Sequence, residues 1–121
     1  MRILVKRAYE PAATEDGYRA LVDRLWPRGR SKTELALDEW AKTLAPSATL
    51  RAWFGHRPER WTIFQRRYEK ELSTPEQREA LHALLARAGR GPLTLVYGAK
   101  DEEHNQAIVL RNRLTAMSKR R

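Results

Sequence analysis

The chain has 121 residues, 41% hydrophobic and 32% charged, with 24 Lys and Arg against 15 Asp and Glu for a formal charge of +9. That length suits one domain, and four Trp, four Tyr and two Phe are enough to anchor a core, so global disorder is excluded. The absence of cysteine excludes disulfides, thiol catalysis, iron–sulfur ligation and Cys-based zinc sites, while the positive charge favours an anionic or phosphorylated small molecule, or nucleic acid, as partner.

Residues 2–7 (RILVKR) read as a short strand, and residues 8–17, with Pro11 and the Asp16-Gly17 pair, as a loop. Residues 18–25 (YRALVDRL) alternate enough for a second strand, ended by Trp26-Pro27-Arg28-Gly29. Asp38 is positioned to cap a short helix that stops before Pro46, and Ser47 to cap another closed by Gly55. Pro58 suits the first turn of a helix in which Trp61, Phe64, Tyr68 and Leu72 recur at spacings of three and four and so form a core stripe. Thr74-Pro75-Glu76-Gln77 is a helix start with cap, N1 proline and capping-box Gln, followed by an apolar face and the terminators Gly89 and Gly91. Residues 92–97 (PLTLVY) predict a buried strand, and Asp101-Glu102-Glu103 the acidic first turn of a last helix.

Strands separated by a helical middle predict a single small α/β domain over residues 1–117, with about three mainly parallel strands in Rossmann-like layering, and a basic tail at 118–121. The first connection carries too few residues for an ordinary parallel crossover, so an antiparallel first pair is also compatible with the sequence. No apolar run approaches the length of a spanning helix and the N-terminus lacks a signal-peptide core, so a cytoplasmic protein without a membrane partner is expected.

In a parallel sheet the strand C-terminal ends gather Arg7 and Tyr9, then Arg24, Trp26 and Arg28, then Tyr97 and Lys100: a cation beside an aromatic ring at each, on the rim where open α/β sheets bind ligands. Asp23 and His104 are the acid/base candidates. His104 follows Asp101 by three residues, a spacing for an oriented pair or for a helix cap, and Asn105 adds a polar group beside them. His56, in a loop before Arg57-Pro58, is a further contact candidate. Two ligands make no metal site, and no Walker loop, G-x-S-x-G or H-E-x-x-H occurs, so neither metal nor cofactor is expected.

The segments KRAYEP, DGYRALVDRLWPRG, LDEWAKTLAPS, LRAWFGHRPERWTIFQRRYEKEL and LVYGAKDEEHNQAIVL together resemble the short, YeaO-like branch of the domain-of-unknown-function 488 family. The resemblance implies a nucleotide-binding-type parallel sheet in which the first crossover helix is reduced to the loop at 8–17. Relatives often carry Cys-Ala-Glu-Lys-Asp after the last strand, where this chain has Tyr97-Gly98-Ala99-Lys100-Asp101, so any thiol chemistry of theirs does not carry over. Two functional classes follow: a protein binding or processing a nucleotide, nucleic acid or other phosphorylated ligand, and a small enzyme moving a proton on an anionic metabolite through His104 and Asp23. A third is a non-catalytic protein-interaction module.

Overall fold

Five helices and four strands form the described part of the chain, residues 1–119 of a computed structural model. The strands are β1 (Ile3–Arg7), β2 (Tyr18–Leu21), β3 (Glu39–Trp40) and β4 (Leu93–Tyr97); the helices are α1 (Lys32–Leu35), α2 (Ala48–Phe54), α3 (Trp61–Leu72), α4 (Pro75–Ala88) and α5 (Gln106–Lys119). The strands make one sheet in the order β1-β4-β2-β3, and every neighbouring pair is parallel.

The antiparallel first pair that the sequence also allowed does not form. β1 and β2 do not pair; β4 lies between them, with Ile3 opposite Leu93 on one side and Tyr18 opposite Leu93 on the other. Because the strands are parallel, residues 8–17 must step across two strand spacings, about 10 Å, and also run back along the strand length, and they do so with only a one-turn 3-10 helix, Thr14–Asp16, on the way. No α-helix occupies the connection, as the loop expected at 8–17 requires.

All five residues of the central β4 are buried. On one face Leu93, Leu95 and Tyr97 join Ala20 and Val22 against the four longer helices, whose inward residues include Phe64, Tyr68 and Leu72 of α3 and Leu81, Leu84 and Leu85 of α4. The other face carries a smaller cluster, Ala8, Leu21, Leu35 and Val96 with Trp26 and Leu37. Beside it Asp16 accepts hydrogen bonds from Lys6 Nζ at 3.1 Å and Arg19 Nη1 at 2.6 Å. Burial alone would raise the Asp16 pKa, but the Ala13 N–H and the two cations outweigh it and hold the carboxyl below its ordinary value.

Three boundaries differ from the sequence reading. The second strand ends at Leu21, and although Val22 N–H still donates to Val96 O, the chain then turns onto the rim. The helix expected after Asp38 is instead β3, because Asp38 bonds Arg19 through both its amide and its carboxylate and draws the segment onto the sheet edge; a 3-10 turn, Lys42–Leu44, follows. The last helix begins at Gln106, not at Asp101: Asn105 Oδ1 accepts from the amides of Ala107 and Ile108 and is its cap. α5 includes Ser118 and Lys119, and Arg120 and Arg121 of the expected basic tail lie outside the described residues.

Candidate functional site

Because all four strands are parallel, their C-terminal ends share one rim, and the loops leaving β2 and β4 are joined there through Asp23. Its Oδ2 accepts from Gly98 N–H at 2.9 Å and its Oδ1 from the Gln106 side-chain amide. A Cβ at position 98 would sit 2.9 Å from Asp23 Oδ2 and push the carboxylate away, so glycine there lets the two loops meet. Burial of the Asp23 carboxyl raises its pKa to about 6, against the lowering pull of the Gly98 and Gln106 hydrogen bonds and of the nearby Arg51 and His56 charges.

A cleft of about 240 Å³ opens over Asp23. Its apolar walls include Leu25, Trp26, Pro27, Pro46, Phe54 and Phe64, and its polar groups include Arg24, Arg51, His56, His104 and Gln106. α2 delivers Phe54 inward and Arg51 to the mouth, and it ends through two consecutive left-handed residues, Gly55 at φ 51° and His56 at φ 57°, which turn the imidazole to the cleft. Arg24 is steadied by its Nε–H, which donates to Pro46 O at 3.1 Å.

Opposite, residues 101–105 form a hydrogen-bonded turn. Asp101 Oδ1 accepts the amides of Glu103 and His104, and its Oδ2 lies 2.9 Å from His104 Nδ1. These contacts, the Glu103 amide first, hold the Asp101 carboxyl below its ordinary pKa. The His104 ring meets Trp61 edge-on at 5.3 Å between centroids, so its orientation is fixed from two sides. An imidazole held this way is chemically able to accept or give a proton, and so is the half-buried carboxyl of Asp23, with its pKa of about 6.

Of the candidates read from sequence, Tyr9, Asp23, Arg24, Trp26, His56, His104 and Asn105 line this cleft. Asn105 is 1% exposed and is occupied in capping α5 and donating to Asp101 O. Trp26 donates its Nε1–H to Arg30 O and meets Trp40 edge-on. Tyr97 is 2% exposed, packed in the main core, and presents no ring face at the rim. Arg7, Arg28, Lys100 and Asp101 do not line the cleft but stand beside it. Arg7 lies over the Tyr9 ring and donates to Ala99 O, and Tyr9 O–H donates to Arg28 O, so the loops carrying Arg28 and Lys100 meet on the same rim. Arg51, Phe54, Phe64 and Gln106 were not foreseen. Three of them reach the cleft only through the docking of α2 and α3, which no local pattern encodes; Gln106 adjoins Asn105 and was open to inference.

Among the described residues no group of His, Asp and Glu is arranged to hold a metal ion, and no helix is long and apolar enough to cross a membrane.

Comparison with known proteins agrees with the resemblance seen in the sequence. The family model DUF488-N3i, described as the inactive DUF488-N3 subclade, matches residues 2–121. The uncharacterised protein YeaO of Escherichia coli K12 is 46% identical over 117 residues, covering 97% of this chain and all of the relative. The uncharacterised protein Rv3073c of Mycobacterium tuberculosis H37Rv is 39% identical over 109 residues, 90% of each chain. No solved structure matches the chain. With a family model spanning nearly every residue and relatives covered over 90% or more of their own length, the chain belongs to the DUF488 family, in the subclade described as inactive.

Proposed function

We propose that this domain is a binding module that takes a small phosphorylated ligand of the nucleotide type in the rim cleft. The observation that carries the reading is the composition of the cleft mouth: Arg51 and Arg24 form no ion pair among the described residues and flank apolar walls that a flat ring would fill. Phosphate suits the guanidinium groups and His56, while a base fits between Phe54, Pro46 and Trp26, with the Asp23 carboxyl on the floor as a hydrogen-bonding group. The family description as inactive, and Tyr97 standing buried where the resemblance sets a cysteine in relatives, support binding without turnover.

The test is a thermal-shift screen against nucleoside monophosphates, sugar phosphates and inorganic phosphate. A ligand that binds only the folded chain raises its melting temperature. A shift with mononucleotides that exceeds the shift with phosphate supports the reading; no shift with any phosphorylated compound removes it.

The Asp101–His104 pair favours a second reading, an enzyme for an anionic metabolite in which His104 transfers a proton and Asp23 assists. Once a ligand is known, turnover of that ligand falling about 10²-fold or more in a folded His104→Gln protein with unchanged affinity would establish catalysis. Absence of any turnover in the native protein leaves the binding module.

A further inference from the structure

Residues 51–70 carry six cations, Arg51, Arg57, Arg60, Arg66, Arg67 and Lys70, against two carboxylates, Glu59 and Glu69. Glu69 is engaged by Arg113 at 2.6 Å, and none of the six cations forms an ion pair among the described residues. Their placement is ordered. Arg66, Arg67 and Lys70 are exposed on the side of α3 turned away from Phe64, Tyr68 and Leu72, with Ile63, itself 42% exposed, at the head of the same stripe. Arg67 and Arg60 both lie on the indole of Trp53, their guanidinium carbons 4.4 and 4.9 Å from the ring centroid. This ties the stripe of α3 to α2, whose Arg51 lines the cleft.

We propose that single-stranded nucleic acid runs along this strip, its phosphates on Arg66, Arg67 and Lys70 and one terminal nucleotide in the rim cleft. The terminal placement rests on the nucleotide reading of that cleft. Arg66 and Lys70 stand one turn apart on α3, a spacing suited to successive phosphates, and Ile63 at the head of the strip gives a base an apolar surface to lie on. Ile63 heads the strip at the N-terminal end of α3, where Trp61 meets His104 of the cleft wall, so one strand can reach both.

The experiment titrates the whole protein with a labelled oligothymidylate and with thymidine monophosphate at several salt concentrations. The test variant is Arg66→Glu with Lys70→Glu, which leaves the Arg60–Trp53–Arg67 contact intact; the control is Arg2→Glu with Lys32→Glu, an equal charge change at exposed positions outside α2 and α3. The strip variant is expected to lose about tenfold or more in oligonucleotide affinity at low salt and about 1.4 in the slope of log affinity on log salt, two phosphate contacts' worth, while its monophosphate affinity is unchanged. Equal loss in the control variant would assign binding to diffuse charge and overturn the proposal, as would an unaltered strip variant. Competition by polyglutamate at the same charge concentration as effective as that by unlabelled oligonucleotide would also overturn it, in favour of an acidic protein partner. Strip-dependent oligonucleotide binding by a protein that fails to bind the monophosphate would sustain the strip and remove only the cleft reading. Circular dichroism checks the fold, and Arg66→Gln with Lys70→Gln repeats the test, with a smaller expected loss, if the double Glu variant is unfolded.

Discussion

Asp23 is the residue on which the rim is built, and its chemistry is testable through stability alone. Its carboxyl joins the ends of β2 and β4 and the start of α5, yet burial raises its pKa from the ordinary 3.8 to about 6. The folded state thus holds this proton more tightly than the unfolded one. The contribution to stability is present in full below about pH 4 and is lost as pH rises through 6, at a cost on the order of 1–3 kcal/mol above that value. Asp23→Asn keeps an acceptor for Gly98 N–H, donates to Gln106 once that side-chain amide turns over as it must for the protonated acid too, and never ionises; it is therefore expected to match the native protein near pH 4 and to exceed it in stability near pH 8. Chemical denaturation across that range measures the difference; a pH-independent difference would contradict the burial argument. Asn105 makes a complementary case. Capping α5 from a buried position, it should cost about 1–2 kcal/mol when changed to Ala, and urea midpoints for Asn105→Ala provide the check.

At the scale of elements, register depends on the approach of Gly17 to Pro92. Gly17 has φ 64°, and a Cβ there would stand 2.3 Å from the Pro92 carbonyl oxygen, the same oxygen that accepts Tyr18 N–H at the start of the β2–β4 pairing. Neither atom can move without breaking the pair. Gly17→Ala is expected to destabilise by about 2–4 kcal/mol, read as a lower denaturant midpoint at unchanged m-value; a native midpoint would show that the strands tolerate a shift. Elements with strong local signals were legible in the sequence. Thr74-Pro75 and Ser47 begin α4 and α2 as their capping chemistry dictates, and Gly89 and Gly55 end them. What escaped local reading was decided by distant partners. β3 is strand because Asp38 reaches Arg19, nineteen positions away. Gln77, which fits a capping box, instead sends its amide to Thr43 O. Asp101 looked like a helix cap because its turn uses the same hydrogen bonds one cap earlier in the chain than Asn105.

For the whole molecule, the parallel order β1-β4-β2-β3 has one consequence above others: it brings segments around residues 9, 23, 51, 56 and 104 to a single rim. The strand-end convergence was legible once a parallel sheet was expected, since it follows from which residues end each strand. The contribution of α2 and α3 was not, because the direction in which a docked helix aims Arg51 or Phe64 is set by packing in the main core. Charge follows the same division. Lys6, Arg19, Arg30, Arg87 and Arg113 are paired with carboxylates, whereas Arg24 and Arg51 are not and stand at a cleft, and that placement, more than the total of +9, makes the cleft a candidate anion site.

The central claim is that this cleft binds a nucleotide-type phosphate through Arg51. Calorimetric titration of the native protein and of Arg51→Ala with a nucleoside monophosphate tests it directly. Arg51 is exposed and outside both cores, so the variant is expected to keep its fold. Loss of one charge-assisted contact should weaken binding by about tenfold or more, equivalent to about 1.5–3 kcal/mol. Equal affinity in the two proteins, or no binding heat in the native one, would contradict the account.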